Sequence, residues 1–356
     1  MPELRKDPIV DRWVIIADNR GKRPQDFEIA PRRSTGRLCP FCEGNESETP
    51  AEVLCVRDPG TLPNGPGWKI RVVPNKFPAV LDGEFNLPSS PDHALYQARP
   101  GHGIHEVIIE SPRHVSSLTQ LTTDEIVLAL ATYRRRFEAL ETHPGLSSVM
   151  LFKNMGAEAG ASLEHIHSQL IALPTIPSLP DAELHGAKAQ FDASGRCVYC
   201  RMLRAETDSP RGVYLSPRFT AFCPFASRFG YETWILPNRH ASHFQTITDD
   251  EIRDLAGVLR RVLTAVETVV RPPAYNLVFH TAPLGGLPLE HYHWHIEVLP
   301  AFAKAAGFEW GSGFYINPVY PEQAAQELRQ SLEKCPESED ETIRQTEADR
   351  ERLPMP

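Results

Sequence analysis

The chain has 356 residues, of which 41% are hydrophobic, so it can bury a core and is not wholly disordered. No apolar run approaches the roughly 18 residues that a membrane span needs. The 37 basic and 46 acidic residues give a net charge of −9, which disfavours binding to duplex nucleic acid. The first residues, MPELRKDPIVDRW, contain no apolar signal segment. We therefore expect a cytoplasmic protein with neither a membrane nor a nucleic-acid partner.

Two CxxC pairs lie in polar, turn-rich stretches, at Cys39 and Cys42 and at Cys197 and Cys200. In a reducing compartment such pairs are more often metal ligands or redox centres than structural disulfides. A thioredoxin-like redox motif would lie at a strand-to-helix turn, and neither stretch has that pattern. The pairs therefore predict metal-binding turns.

Segments 113–174 and 239–300 repeat one another at an offset of 126 residues. Each contains an Arg-His pair, a Thr-x-x-Glu capping box, an amphipathic helix ending in Glu-Thr, a strand-like run and alternating histidines. The clearest matches are Arg113-His114 with Arg239-His240, Thr122 and Glu125 with Thr248 and Glu251, Asn154 with His280, and Pro174 with Pro300. The constant offset predicts a duplicated chain without insertions between these points.

Each half is predicted to have an α+β fold, with an antiparallel sheet and helices packed against one face. Alternate residues of a strand share a face, so the clusters HIHSQ (165–169) and HYHWH (291–295) would each present three polar groups together. Buried polar groups need partners, which metal binding or nucleophilic catalysis would supply. The loop before the first cluster, 154–162, is rich in small residues that can bring backbone N–H groups to an anion.

The segments CPFC, SPRH and NMGAEAGASLEHIHSQ, in this order, resemble the galactose-1-phosphate uridylyltransferases, the transferase branch of the histidine-triad superfamily. The segments LRKDPIVDRWVII, NRGKRP and GFEWGSGFYINPVYPEQAA extend the resemblance over about residues 3–330. This family has two histidine-triad-like halves. We therefore expect a half with the nucleophile and first zinc site at 1–180, and a half with the second metal site at 181–330. The charge-rich segment 331–356 is predicted to be a disordered tail.

The resemblance implies that His167 is the nucleophile that takes up the nucleotidyl group, and that Gln169 contacts the transferring phosphoryl group. It also implies a zinc site made of Cys39, Cys42, His114 and His165. The substrate-binding residues that it implies are Arg20, Arg23, Asn75, Asn154 and Ser162. Four protein ligands leave no open position, so this zinc would be structural. Hydrolases of the superfamily usually have a third histidine at the position of Gln169. An amide cannot shuttle protons, which favours transfer over hydrolysis.

In the second half Cys197, Cys200 and His240 repeat three of these ligands, which predicts two zinc ions per chain. The internal offset makes His291 the fourth ligand. Members of the wider family match His293 instead, and we predict His293 while His291 stays open. Two further alternatives are that this half has lost its metal, or that His280 and Glu183 serve a different metal arrangement seen in other relatives.

The resemblance predicts ping-pong uridylyl transfer between UDP-glucose and galactose 1-phosphate, a step of galactose metabolism, by a homodimer. Its partners would be a nucleotide sugar and a sugar phosphate. Two departures matter: Ala161 stands where the uridylyltransferases have cysteine, and HIHSQ replaces HPHGQ. Similar loops are found in ADP-glucose phosphorylases, so adenylyl transfer is the alternative. A zinc-stabilised nucleotide-binding protein without catalysis is the third.

Overall fold

The structure, a computed structural model, describes residues 2–18, 38–83, 100–301 and 305–334. Within these ranges the strands are β1 (Glu3–Lys6), β2 (Trp13–Ile16), β3 (Leu54–Arg57), β4 (Trp68–Pro74), β5 (Ile104–Ile109), β6 (Ser148–Met155), β7 (His167–Leu173), β8 (Gly212–Leu215), β9 (Phe219–Phe222), β10 (Thr233–Pro237), β11 (Tyr275–His280), β12 (His295–Pro300) and β13 (Tyr315–Asn317). The helices are α1 (Thr123–Glu141), α2 (Ser178–Ser194), α3 (Val198–Glu206), α4 (Asp249–Val269), α5 (Gly307–Ser312) and α6 (Pro321–Lys334). No helix in these ranges combines the length and apolar character needed to cross a bilayer.

Ten strands form one antiparallel sheet in the order β3-β4-β5-β7-β6-β11-β12-β10-β9-β8. The first five strands and the last five have the same internal order, and they meet where β6 pairs with β11. A smaller sheet pairs β1 with β2 and β2 with β13, so segments near the two ends of the described chain lie together. The duplication is therefore visible in the topology.

The two long helices begin where the capping boxes predict. Thr122 and Thr248 are the N-caps of α1 and α4, and each accepts from the backbone N–H of the glutamate three residues later. Both helices bury an apolar face in one core shared by the two halves. Aromatic rings join the halves across this core, as in the edge-on contact of Tyr133 with Phe279, 5.7 Å between ring centroids. The predicted α+β class is confirmed.

The predicted constant offset is wrong in its last part. Leu151 of β6 pairs with Leu170 of β7, whereas Leu277 of β11 pairs with Val298 of β12. Leu277 lies 126 residues after Leu151, but Val298 lies 128 after Leu170. The connection between β11 and β12 thus contains two additional residues, which a surface loop accepts without disturbing a ladder. As a result, Pro300 is not the counterpart of Pro174.

Two local expectations also need correction, and two helices cross the predicted domain bounds. The strands β7 and β12 begin at His167 and His295, so the earlier histidines of both clusters precede their strands. The second CxxC does not form a simple turn, because Cys197 is the N-cap of α3. The predicted boundary at 180/181 falls inside α2, and α6 continues to Lys334, beyond the predicted start of the tail at 331.

Candidate active site and metal centres

His167 lies at the first position of β7 with its side chain almost buried, 8% exposed. Its Nδ1 lies 2.7 Å from the carbonyl oxygen of His165, so Nδ1 carries the proton and donates it. Nε2 therefore keeps its lone pair. Burial and, less strongly, the charge of Lys153 lower the pKa of His167, which keeps the ring neutral near pH 7. A neutral imidazole with one nitrogen anchored is a nucleophile held in a fixed orientation.

A buried ionic network lies beneath this histidine. The Glu110 carboxylate accepts hydrogen bonds from Lys153 Nζ, from the Tyr133 hydroxyl and from Ser168 Oγ, the last at 2.6 Å. Lys153 Nζ also donates to the carbonyl oxygen of His167 at 2.9 Å. A buried charge pair is tolerated when further hydrogen bonds satisfy it, as here. The network therefore ties β5, β6, β7 and α1 together directly behind the reactive ring.

Glu110, Lys153 and Tyr133 are not among the site residues predicted from the sequence. The one available signal was a lysine inside the apolar run SSVMLFKN, which predicts a buried cation that needs a partner. Its partner is 43 residues away in sequence, and no local pattern points to it.

Gln169, predicted to contact the phosphoryl group, follows His167 at the next position on the same face of β7. Its Oε1 lies 3.0 Å from His105 Nε2 and 3.5 Å from Asn75 Nδ2. Asn75 directly follows β4, whose neighbour in the sheet is β5. The structure thus brings Asn75, Gln169 and His167 to one region, and adds His105 to it.

The small-residue loop after β6 depends on a glycine. Gly156 has φ +82°, and a Cβ there would lie 2.9 Å from both Ala274 Cβ and the carbonyl oxygen of Pro273. Asn276 fixes the loop from β11, because its Nδ2 donates to Asn154 Oδ1 at 2.8 Å and to the carbonyl oxygen of Ala159 at 2.9 Å. This loop and the histidine strand border a cleft lined by Ser116, Lys153, Asn154, Met155, Gly156, Leu163, Glu164, His165, Ile166 and His167.

The other predicted substrate-binding residues do not line this cleft among the described residues. Ser162 is exposed in the same loop. Arg20 and Arg23 lie outside the described residues. The cleft thus contains Asn154 of the predicted substrate set, whereas Asn75 lies outside its lining and contacts Gln169 Oε1 at 3.5 Å.

The first candidate metal centre consists of Cys39, Cys42, His114 and His165, whose donor atoms all lie within 4.8 Å of one another and could hold a metal ion. Nδ1 of His165 lies 3.5 Å from both sulfur atoms, and Nδ1 of His114 lies 3.4 Å from Cys42 Sγ. A tetrahedral zinc with bonds of roughly 2.3 Å to sulfur and 2.0 Å to nitrogen would set such atoms about 3.5 Å apart. His165 Nε2 donates to the carbonyl oxygen of Ser111 at 2.8 Å, which leaves Nδ1 for the metal.

The second metal centre consists of Cys197, Cys200, His240 and His293, again with donors within 4.8 Å. Cys200 Sγ lies 3.3 Å from His240 Nδ1 and 3.6 Å from His293 Nδ1. His240 Nε2 donates to the carbonyl oxygen of Leu289, so its Nδ1 also faces the sulfur. The structure places His293 in this group. His291 contributes its backbone carbonyl, 3.6 Å from Cys197 Sγ.

The two additional residues in the second half explain this choice. At an offset of 128, His293 and His295 are the counterparts of His165 and His167, and Glu297 is the counterpart of Gln169. His295 Nδ1 lies 3.1 Å from the carbonyl oxygen of His293. In the first half, His167 Nδ1 lies 2.7 Å from the carbonyl oxygen of His165. The second half therefore repeats the backbone arrangement found at His167.

A third group of titratable side chains surrounds His295. His280 Nδ1 lies 3.0 Å from Glu183, and its Nε2 lies 3.4 Å from Glu297, which also pairs with Arg228. Burial opposes the charge of His280, but the two carboxylates outweigh it and raise its pKa to about 10. The four donors of Glu183, His280, His295 and Glu297 also lie within 4.8 Å of one another. Because both nitrogens of His280 face carboxylates, the arrangement suits a protonated imidazole.

Comparison with known proteins identifies the family. The model of the galactose-1-phosphate uridyl transferase N-terminal domain matches residues 1–177, and a domain of unknown function, DUF4921, matches 110–347. The chain is 37% identical to an ADP-glucose phosphorylase of Arabidopsis thaliana, covering 92% of this chain and 93% of the relative. It is 28% identical to a galactose-1-phosphate uridylyltransferase of Thermotoga maritima, covering 93% and 99% respectively.

Solved structures agree with these relatives. The crystal structure of the Arabidopsis thaliana ADP-glucose phosphorylase with bound ADP-glucose superposes with a TM-score of 0.79 at 36% identity, covering 93% of this chain and 99% of that one. A structure of uridylyltransferase gives 0.73 at 30% identity, covering 95% and 100%. The relatives are enzymes that span nearly all of this chain. The chain belongs to the galactose-1-phosphate uridyl transferase family, whose members include uridylyltransferases and an ADP-glucose phosphorylase.

Proposed function

We propose that this chain transfers a nucleotidyl group by double displacement, with His167 as the covalent carrier. The observation that carries the proposal is the geometry of the ring: Nδ1–H is bonded to the carbonyl of His165, and Nε2 has no hydrogen-bond partner among the described residues. In the first step Nε2 attacks the α-phosphorus of a nucleoside diphosphate glucose, and the electron pair of the breaking P–O bond leaves with glucose 1-phosphate. In the second step a phosphate oxygen attacks the same phosphorus and His167 leaves.

The first candidate donor is ADP-glucose, with inorganic phosphate as acceptor and ADP and glucose 1-phosphate as products. The support is the higher identity to an ADP-glucose phosphorylase, 37% against 28% for a uridylyltransferase at similar coverage. The departure from HPHGQ also supports it, because the loop and the HIHSQ segment of this chain resemble those of ADP-glucose phosphorylases. This ranking reverses the order that sequence analysis gave.

The second candidate is uridylyl transfer from UDP-glucose to galactose 1-phosphate. It is favoured by the match of residues 1–177 to the uridyl transferase domain and by the relative from Thermotoga maritima. Both candidates use the same ring, the same bond exchange and a phosphate-bearing acceptor. They differ in the base of the nucleotide and in the acceptor, and direct assay separates them.

Two zinc ions per chain are part of the proposal. Cys39, Cys42, His114 and His165 would hold one, and the corresponding set with His293 would hold the other. A closed four-ligand zinc stabilises folding and does not activate water. In the first half the same residue, His165, offers Nδ1 to the metal and its carbonyl to His167, so metal binding would fix the carbonyl that orients the nucleophile.

Gln169 would make the enzyme a transferase, since its amide can stabilise phosphoryl charge but cannot act as a proton donor or base. The nucleotidyl-His167 adduct should therefore persist until an acceptor phosphate arrives. The change Gln169→His would introduce a titratable ring beside the adduct and should increase release of free nucleoside monophosphate relative to transfer.

To test the proposal, the purified chain is incubated with ADP-glucose or with UDP-glucose. Each donor is tested without acceptor, with phosphate and with galactose 1-phosphate. We expect stoichiometric release of glucose 1-phosphate without acceptor, and turnover only with acceptor. Turnover with ADP-glucose and phosphate supports the first candidate, and turnover with UDP-glucose and galactose 1-phosphate the second. Rapid release of free AMP or UMP without acceptor would contradict the transferase assignment. Binding without any release would indicate a non-catalytic nucleotide-binding protein.

A further inference from the structure

The side-chain oxygen of Gln169 accepts hydrogen bonds from two residues outside its own strand. His105, on β5, places Nε2 at 3.0 Å from Gln169 Oε1, and Asn75 places Nδ2 at 3.5 Å from the same atom. Asn75 Nδ2 and His105 Nε2 also contact each other at 3.0 Å. Within the described parts of the chain, the amide nitrogen of Gln169 makes no hydrogen bond to another residue.

The direction of both donors is set by the backbone of one short loop. Ala79 N–H donates to His105 Nδ1 at 3.0 Å, so Nδ1 is the acceptor and the proton of the neutral ring is on Nε2. Phe77 N–H donates to Asn75 Oδ1 at 2.9 Å, so the other end of that amide is the donor. A backbone N–H cannot reverse its polarity. The loop 75–79 therefore fixes which atoms face Gln169.

Two converging N–H donors accept only one orientation of the Gln169 amide. Its oxygen must face His105 and Asn75, and its NH₂ group is then available on the opposite side. A flipped amide would bring NH₂ against two donors and present a partial negative charge to substrate oxygens. Both contacts of the flipped form are unfavourable, so the preference comes from two independent sources.

We propose that His105 is a positioning residue that holds the Gln169 amide with its N–H, and not its oxygen, toward the phosphoryl group transferred by His167. This inference rests on the proposed function for the identity of the group that Gln169 contacts. His105 itself need not touch the substrate. Its effect on catalysis passes through Gln169, which separates it from a general structural role.

The kinetic test uses variants that differ in where they place a donor. His105→Gln keeps an N–H donor near the position of Nε2, whereas His105→Asn places its amide near Nδ1, where Ala79 already donates. We expect His105→Ala and His105→Asn to lower the rate of His167 nucleotidylation by about tenfold or more, and His105→Gln to restore most of it. His185→Ala, at an exposed histidine on α2, is the matched control.

The double variant His105→Ala with Gln169→Ala decides whether the effect passes through Gln169. We expect it to react no more slowly than Gln169→Ala alone. Full additivity of the two losses would overturn the proposal, and so would a wild-type rate in His105→Ala. Equal loss in His105→Gln and His105→Asn, with unchanged thermal stability, would overturn it as well.

A second measurement does not depend on any substrate. Nitrogen-15 NMR of the histidine rings reports which nitrogen of His105 carries the proton. We expect the Nε2–H form, and the Nδ1–H form would overturn the proposal. If no nucleotide sugar modifies the wild-type chain, the proposed function fails while the NMR result still decides the arrangement of His105 and Gln169.

Discussion

The two halves of the chain place a histidine at the same point of the same sheet, and only one of these rings is accessible. His167 and His295 each donate Nδ1–H to the carbonyl two residues earlier, at 2.7 and 3.1 Å. His295 is fully buried between the rings of His280 and Trp234, whose centroids lie 4.6 and 4.9 Å away. His167 lies beside a cleft. The backbone arrangement of a nucleophile is therefore insufficient, and access decides whether it can react.

The charges around the two rings also favour reaction at His167 and not at His295. The position of Gln169 is occupied in the second half by Glu297, a buried carboxylate paired with Arg228 and His280. A carboxylate there would repel a phosphoryl group, whereas an amide can donate to it. The second half has the same strand arrangement as the proposed catalytic site, and a buried charge network occupies the corresponding interior.

The largest expected effect comes from exchanging the two histidines in turn for alanine. His167→Ala should lower nucleotidyl transfer by at least about 10⁴-fold with little loss of stability, because it removes the nucleophile. His295→Ala should leave activity per folded molecule unchanged and destabilise the fold by about 3 kcal/mol, because it removes a buried ring.

Initial rates and urea unfolding of both variants check this contrast. In a third variant, His167→Gly, the missing ring can be supplied from solution. When an imidazole that already bears the nucleotidyl group is added, transfer of that group to the acceptor should recover. Comparable activity losses in the two alanine variants would show that the halves are not functionally distinct.

The next effect concerns the two metal centres. Cys39→Ser and Cys197→Ser should each lower bound zinc from two ions to one and cost several kcal/mol of stability, roughly as for structural zinc sites elsewhere. Only Cys39→Ser should also lower the activity of the folded fraction, since His165 would both bind this metal and orient His167 through its carbonyl. The prediction starts from two zinc ions per wild-type chain. Metal analysis that finds fewer than two would contradict it.

A smaller effect is the pH dependence that His280 contributes. Its pKa is about 10 in the folded chain and about 6.5 when unfolded, so its stabilisation is complete below pH 6.5 and is lost as pH rises toward 10. The upper bound is about 4 to 5 kcal/mol. Denaturant unfolding from pH 6 to 9.5 should show this decline in the wild type and a smaller decline in His280→Asn. Equal slopes in the two proteins would show that His280 is not a buried cation.

The smallest effect compares the two Arg–Glu pairs at the helix starts. Arg113 and Glu125 are 2.8 Å apart, and Arg239 and Glu251 are 2.9 Å apart, at equivalent positions. Glu125 is about one-third exposed, whereas Glu251 is buried. Arg113→Ala should cost about 0.5 kcal/mol and Arg239→Ala about 1 to 2 kcal/mol, because only the latter leaves a buried carboxylate without its partner. Thermal unfolding of both variants measures the difference, and a larger cost at Arg113 would contradict it.

Much of the fold could be predicted from the sequence because its strongest signals are local. Capping boxes fix the starts of α1 and α4, and the repeated order of CxxC, Arg-His and alternating histidines predicts duplicated halves. The sets of metal donors follow from the same order together with the family resemblance.

The rest could not be predicted because it depends on contacts between distant strands. Two residues inserted before β12 are invisible in HYHWH, which contains a histidine at each alternate position and fits either register. The pairing of Lys153 with Glu110, and of His105 with Gln169, is set by strand order in the sheet. No periodicity in one strand encodes the partner in another.

The most direct test of the account is to locate the covalent adduct. The chain would be mixed with ADP-glucose or UDP-glucose without acceptor, digested at neutral to alkaline pH, and its peptides mapped by mass spectrometry. We predict one acid-labile nucleotidyl group on His167, released as nucleoside diphosphate when phosphate is added to the undigested protein in the ADP-glucose case. An adduct on His295 or any other residue, or turnover with acceptor but no adduct without it, would contradict the central claim that only the first half reacts, through His167.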